Sequence, residues 1–509
     1  MKSTARSIMI QGTGSYVGKS ILVAGLCRIF YQAGYRVAPF KAQNMSLNSY
    51  ATLEGGEIGR AQVVQAEAAG LEPSVHMNPI LLKPTGDIGS QVIVQGRPFK
   101  NLTAQEYYQH KQTLFQRVKE SYDYLAQQFE IMVLEGAGSP AEINLKENDI
   151  VNMAMARYAQ APVLLVTDID RGGAFAAVIG TLEILDQEER NLVRGIIFNK
   201  FRGDVSLLKP GIDYLESRTG IPVLGIIPYF NNLLIDQEDS VWMEEYTQGK
   251  KDSQIPIAVI QLPRISNFTD FDPLAREPDV SLYYVRDLRQ LKKPTIIIIP
   301  GSKNTIADLL FLKESGLAEE IRKQAHQGCL VIGICGGYQM LGQIVRDDSG
   351  VESDLKEVTG LGLLNTTTVL EPEKITHQVG FHSIVPAPYL QSLEPMKGYE
   401  IHMGITQILG SEKPLFQIIS RSNQPVTIFD GAINNARNVF GTYIHGIFDN
   451  AELRTNLLNQ FRKEKITPPG EKVKMAQEFK EQQYNLLAQQ LLQYLDLERI
   501  YALIGLPKI

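Results

Sequence analysis

Leu330-Val331-Ile332-Gly333-Ile334-Cys335-Gly336-Gly337-Tyr338-Gln339 is the most informative run in this 509-residue chain. Apolar residues of strand length lead into Gly-x-Cys-x-Gly, and helix-forming residues follow. That is the order of a nucleophile elbow, a sharp strand-to-helix turn that presents one side chain at a sheet edge. Small residues two before and two after the cysteine are needed because the turn crowds the backbone. The helix N-terminus just beyond favours negative charge at the thiol. Cys335 is therefore the candidate nucleophile. Cys27, inside a helical run, and Cys329, without such a turn, read as small buried hydrophobes.

Working outward, short β-branched runs alternate with helical stretches, the pattern of parallel α/β sheets. In the first half the expected strands are 7–11, 36–40, 131–134, 162–167, 195–198 and 223–227. A polar, charged stretch at 236–254 reads as a linker. A second series follows at 257–260, 295–299, 330–334 and 439–444. The expectation is two doubly wound, mostly parallel-sheet α/β domains, 1–235 and 255–450, with a helical extension at 451–509.

Composition narrows the function classes. Fifty basic and 56 acidic residues give a formal charge of −6, which offers no reason to expect a nucleic acid or an anionic membrane as partner. Three cysteines make no disulfide framework, the apolar runs are far short of a membrane span, and no signal peptide precedes the first strand. A cytoplasmic protein is expected.

The first strand runs into Gly12-Thr13-Gly14-Ser15-Tyr16-Val17-Gly18-Lys19-Ser20, which opens a helix. This is the setting of a phosphate loop. Backbone N–H groups wrap the phosphates, Lys19 meets their charge and the Ser20 hydroxyl ligates Mg²⁺. Gly12, Thr13, Gly18, Lys19 and Ser20 are thus nucleotide-site candidates, although the loop from Gly12 is one residue longer than the common motif. Glu135, Asp168 and Asp170 end later strands, where open α/β sheets bind ligands, and Glu135 and Asp168 are candidate Mg²⁺ ligands. Asn199, at the end of the next strand, is a candidate base reader. Lys41 and Asn44, just past another strand, are candidate contacts to nucleotide or substrate.

A catalytic thiol needs a base. Of seven histidines, His445 ends the 439–444 strand in Gly-Thr-Tyr-Ile-His-Gly-Ile-Phe and is the preferred partner, ahead of His402. The N–H of Gly336 and one from the Pro300-Gly301-Ser302-Lys303-Asn304 loop, at Gly301, are the candidate oxyanion donors.

The first half resembles the dethiobiotin synthetase family of P-loop enzymes, which carry the same longer glycine loop and an equivalent of Glu135-Gly136-Ala137-Gly138. The resemblance implies ATP-driven activation of a carboxylate as a mixed phosphate anhydride. The second half resembles class I glutamine amidotransferases, in the branch that holds cobyric acid and cobyrinate diamide synthases. Gly-Ile-Cys-Gly-Gly-Tyr-Gln-Met-Leu-Gly, Pro-Gly-Ser-Lys-Asn-Thr, Gly-Tyr-Glu-Ile-His and Gly-Thr-Tyr-Ile-His-Gly-Ile-Phe carry it. It implies Cys335 as nucleophile and His445 as acid/base. The wider class has a glutamate two residues after the histidine, where this chain has Ile447, so the expectation is either Glu400 as the orienter or a site that works as a Cys–His pair. The segments at 39–48 and 78–84 are similar to the cobyric acid synthase family in particular. That resemblance implies amidation of the b, d, e and g carboxylates of adenosylcobyrinic acid a,c-diamide, with L-glutamine, ATP and Mg²⁺. The rival expectations are the earlier cobyrinate step, another carboxylate substrate, or a non-catalytic P-loop switch. Intact Cys335 and His445 argue against the switch.

Overall fold

A computed structural model describes residues 5–85, 89–230, 233–235, 254–390, 392, 394–466 and 473–507. The expected linker therefore lies outside the described residues, apart from Gln254.

The first sheet contains six parallel strands in the order Val223–Pro228, Val193–Phe201, Val163–Asp168, Arg6–Gly12, Ile131–Glu135, Val37–Phe40. All six are the strands expected from sequence. Their residues are largely buried, as befits a sheet with helices on both faces. Arg6–Gly12 sits between the strands of Glu135 and Asp168, so the phosphate loop opens with one acidic strand end on either side. The second sheet runs Val280–Val285, Ile255–Ile260, Ile296–Ile299, Leu330–Ile334, Val439–Thr442, Ala432–Ile433, parallel except for the last strand.

Residues 344–430 hold a further layer that the sequence reading left unassigned. Thr366–Ser383 and Met396–Ile408 pair as a long antiparallel ladder, and other short strands attach to it. The expected strand 439–444 is divided by this layer. Val439–Thr442 stays in the parallel sheet, whereas Ile444–His445 pairs with Tyr399 and Glu400 of the antiparallel one. Tyr443 is the crossing point, and it delivers His445 to the elbow.

The helical tail has two fates. Helix Ala451–Leu458 buries Leu453, Leu457 and Leu458 in the core of the second sheet. The chain then returns to the first domain. Tyr484, Leu487, Ala488 and Leu491 of helix Val473–Tyr494 join the core built on helix Lys19–Gln32, the helix that follows the phosphate loop. Gly25 lets the two helices approach, since a Cβ there would overlap Leu491. Arg28 seals the contact, donating to Glu481 at 2.5 Å and to Asn485 at 2.9 Å. Leu487 is fully buried, so Leu487→Ala is expected to cost about 2–5 kcal/mol. Thermal denaturation with and without nucleotide checks this, and an unchanged melting temperature would contradict it.

Candidate active site

At the elbow, Cys335 has φ 53° and ψ −110°, a left-handed conformation that a cysteine adopts only under constraint. The glycines around it have steric reasons. A Cβ at Gly337 would overlap the Ile299 carbonyl, and one at Gly333 would meet the Gly337 backbone at 2.7 Å. Helix Gly336–Leu341 starts directly after the thiol. Cys335 is 7 % exposed and donates weakly to the Ile401 carbonyl at 3.4 Å. The other two thiols match their expected inert role. Burial pushes Cys27 up strongly and Cys329 up to about 11, so both stay protonated.

His445 lines the same cavity as Cys335. Its Nδ1 meets Asp270 Oδ2 at 2.6 Å, and Asp270 Oδ1 accepts the Gly446 N–H at 3.2 Å. The carboxylate on the histidine is therefore Asp270, not Glu400. The reason is register. In the antiparallel ladder Tyr399 lies opposite His445 and Glu400 opposite Ile444, so Glu400 faces away from the imidazole. Glu400 accepts instead from Arg421 at 2.8 and 2.9 Å. Asp270 sits in the 3-10 turn Phe268–Phe271, after the strand Ile255–Ile260. The available sequence signal was an acid past the end of a predicted strand, but nothing local distinguished it from other acids. Burial disfavours charging His445, yet the Asp270 carboxylate, the hydrogen bond to it and the neighbouring thiol prevail, raising its pKa to about 10. The resting state this favours is a charged imidazolium beside the thiol.

His402, the other candidate base, stacks on Tyr443 at 3.8 Å and its Nδ1 meets the Gly404 carbonyl at 3.2 Å. The Pro300–Asn304 loop lies over the elbow. A Cβ at Gly301 would meet His445 Cε1 at 3.3 Å, and one at Gly336 would meet the Ser302 N at 2.9 Å. Gly301 thus lies beside His445, and Gly336 beside Ser302.

The cavity at Cys335 is walled by both domains. Gln339, Lys303 and Lys374 line it from the second domain and Lys83 from the first. Glu57 accepts from Lys83 at 2.6 Å, from Ser49 at 2.7 Å, and also from Lys374. Burial, opposed by Glu57 but aided by Lys83 and Lys303, brings Lys374 down to about 7. Lys303 has no carboxylate within ion-pair distance among the described residues, and it faces the cavity. Burial, and next Lys83, lower its pKa.

On the nucleotide side, Gly18 has φ 95° and Lys19 Nζ donates to the carbonyls of Gly14 (2.8 Å) and Gly138 (3.1 Å). Thr13 Oγ1 donates to Thr167 at 3.1 Å. Gly12 admits no side chain, because a Cβ would meet Val17, Gly14 O and Lys19 Nζ within 2.9 Å. Ser20 Oγ donates to Glu135 at 2.8 Å, and Lys41 and Gln65 reach the same carboxylate at 2.8 and 2.5 Å. Burial would raise the Glu135 pKa, but Lys41, Gln65 and Ser20 outweigh it and lower it. A hydroxyl beside a carboxylate suits a hard, oxygen-seeking cation, and the buried Gln65 Oε1 next to them lacks a hydrogen-bond donor. The residues therefore fit Mg²⁺.

Other candidates are placed differently from expectation. Asp168 pairs with Lys200 at 2.9 Å, and Asp170 with Arg202 at 3.0 Å. Asn199 donates its amide to the Val17 carbonyl at 2.8 Å and so braces the phosphate loop. Lys41 is buried on Glu135, and Asn44 is buried with its amide on Gln62 at 2.9 Å, inside the domain interior. No helix among the described residues is long and apolar enough to cross a membrane.

Comparison with known proteins adds the family. Residues 8–240 match the CobQ/CobB/MinD/ParA nucleotide binding domain, and residues 256–453 the CobB/CobQ-like glutamine amidotransferase domain. The chain is 54 % identical over 518 residues to a cobyric acid synthase of Desulfitobacterium hafniense, covering 100 % of this chain and 99 % of that one. It is 53 % identical to that of Moorella thermoacetica, covering 99 % and 98 %. It is 52 % identical to that of Pelotomaculum thermopropionicum, covering 99 % and 97 %. With a phosphate loop in one domain, a buried Cys–His–Asp site in the other, and this likeness along its whole length, the chain belongs to the cobyric acid synthase family.

Proposed function

We propose that this chain amidates the b, d, e and g carboxylates of adenosylcobyrinic acid a,c-diamide, drawing ammonia from L-glutamine and energy from ATP. The observation that carries this reading is the joining of two complementary sites in one chain of this family. The thiol site, Cys335 with His445 on Asp270, releases ammonia. The loop ending in Lys19 and Ser20 activates a carboxylate.

At the thiol site, Cys335 thiolate attacks the carboxamide carbon of glutamine. The developing oxyanion lies against the N–H groups of Gly336 and Gly301. His445 gives its proton to the departing ammonia, leaving a thioester, and then takes a proton from the water that hydrolyses it to glutamate. Asp270 holds the imidazole in the tautomer this exchange needs. At the phosphate loop, an acceptor carboxylate oxygen attacks the γ-phosphate of ATP, and ADP leaves. Lys19 and the loop N–H groups balance the phosphate charge. Ser20 and Glu135 would hold Mg²⁺, with Asp168 on the far side of the loop, and the ion would draw charge from the phosphate oxygens. Ammonia attacks the acyl phosphate, giving the amide and inorganic phosphate.

Lys303, the cavity lysine not paired to a carboxylate, is suited to the α-carboxylate of glutamine. Lys303→Met is expected to raise KM for glutamine by about 10- to 100-fold, the value of a lost charge-assisted hydrogen bond. Amidation driven by free ammonia should be unaffected. An unaltered glutamine KM removes Lys303 from this role.

The test of the whole reading is mass spectrometry of the corrin after incubation with ATP, Mg²⁺ and either glutamine or ammonia. Stepwise OH-to-NH₂ exchange that requires ATP with either nitrogen source is the expected result. Glutamine hydrolysis with an unchanged corrin would redirect the search to another carboxylate. No hydrolysis under any condition would favour a P-loop switch.

A further inference from the structure

The second domain's catalytic carboxylate is tied to the first domain. Asn267, three residues before Asp270, has φ 53°, a left-handed conformation that costs energy unless its side chain is well held. Its amide is bonded on both sides. Oδ1 accepts the Ser49 N–H at 3.3 Å, while Nδ2 donates to the Ser49 carbonyl at 3.2 Å and to Tyr399 Oη at 3.1 Å. Tyr399 Oη donates to Asp270 Oδ1 at 3.3 Å. The next residue, Phe268, gives its N–H to Asn48 Oδ1 at 3.0 Å. Asn48, Ser49, Asn267, Tyr399 and Asp270 are all buried.

A second path runs through rings. Tyr399 stacks on His445 with centroids 5.2 Å apart, and Tyr50 of the first domain packs on Tyr399 at 4.6 Å. Arg60 lies over Tyr50 at 5.3 Å. Both paths start from one short segment, residues 48–50, and end on the imidazole and its carboxylate. The chain leading into that segment starts at the phosphate side, where Lys41 pairs with Glu135 and Asn44 with Gln62. Gln62 and Gln65 lie on one helix face, and Gln65 also bonds Glu135.

We propose that Asn267 and Tyr50 are positioning residues through which segment 41–51 of the nucleotide domain holds the His445–Asp270 pair. Glutamine hydrolysis thereby answers to what occupies the phosphate side. Tyr50 lies outside the cavity at Cys335, and Asn267, which lines it, has its amide held by Ser49 and Tyr399. Each acts on the orientation of His445, Asn267 through Asp270 and Tyr399, Tyr50 through the ring stack. The titratable groups against His445 include Asp270, Cys335 and Tyr399; the Asn267 amide bonds Tyr399 and reaches the Asp270 carboxylate through it.

The full-length chain with Asn267→Gly tests this, because glycine accepts the left-handed backbone and removes only the amide. Tyr50→Leu keeps an apolar side chain and removes the ring. The readouts are glutamine hydrolysis alone, hydrolysis with ATP and the corrin diamide present, its pH profile, and ammonia-driven amidation. Both variants are expected to lose about 10-fold in hydrolysis stimulated by ATP and acceptor, within the usual range for coupled sites. Asn267→Gly should also move the basic limb of the hydrolysis profile to lower pH, as His445 loses its firm hold on Asp270. Ammonia-driven amidation should stay at the parent level, which shows that the fold and the phosphate side are intact. Parallel loss of ammonia-driven amidation would make the residues merely structural and overturn the proposal. So would unchanged stimulation with an unmoved pH limb in both variants, or a parent enzyme whose hydrolysis ignores ATP and acceptor. Ammonia-driven amidation by the parent reports separately on the proposed reaction, so the two readings fail independently.

Discussion

Cys335→Ala is expected to abolish glutamine-driven amidation, by roughly 10⁴-fold or more, and to leave ammonia-driven amidation intact. The separation follows from where the thiol sits. Cys335 belongs to the core of the second domain and to the elbow between Leu330–Ile334 and Gly336–Leu341, whereas the phosphate loop belongs to another sheet. Alanine at φ 53° is strained much as cysteine is, so the turn should keep its shape while the nucleophile is lost. The one bond removed besides the contact to His445 is the weak one to Ile401, so the cost to folding is small. Initial rates with glutamine and with ammonium chloride, on the same preparation, check this. Loss of both activities would mean that the thiol does more than release ammonia.

Asp270→Asn should lower glutamine hydrolysis by about 10²- to 10⁴-fold, because an amide of the same shape no longer enforces the right imidazole tautomer. The pH profile carries the sharper signature. The His445 pKa lies at about 10 because Asp270 overcomes the penalty of burial. Removing that charge leaves burial in command, so the imidazolium is lost at lower pH. The basic limb of hydrolysis should move down accordingly. Stability must follow the same linkage. A histidine whose folded pKa is raised from 6.5 to about 10 contributes fully below about pH 6.5 and loses that contribution as pH rises through 10. The melting-temperature gap between parent and Asp270→Asn is therefore expected to be widest near pH 6 and to narrow towards pH 10. A gap independent of pH, with an unmoved basic limb, would detach Asp270 from His445 titration.

Each site was partly legible in sequence, and the boundary between the legible and the hidden is physical. Gly12 to Ser20 and Leu330 to Gln339 could be read because a strand–turn–helix imposes its steric demands on consecutive residues. The first sheet's strands could be read because burial on both faces leaves continuous apolar runs. Glu400 misled because sequence proximity to the Gly398–Gly404 motif says nothing about register, and a one-residue offset turns a side chain to the opposite face. The tail showed helical character but not its destination.

The sequence by itself determined two α/β domains, a phosphate loop, a thiol elbow and the histidine to pair with it, because each rests on short-range backbone geometry. Only the tertiary structure decided what completes them. Asp270 lies 175 residues from His445 in the chain. Lys83 and Lys374 converge on Glu57 from different domains. Helix Val473–Tyr494 crosses back to the helix of the phosphate loop. Contacts of this kind depend on how sheets and layers pack, and no run of neighbouring residues encodes them.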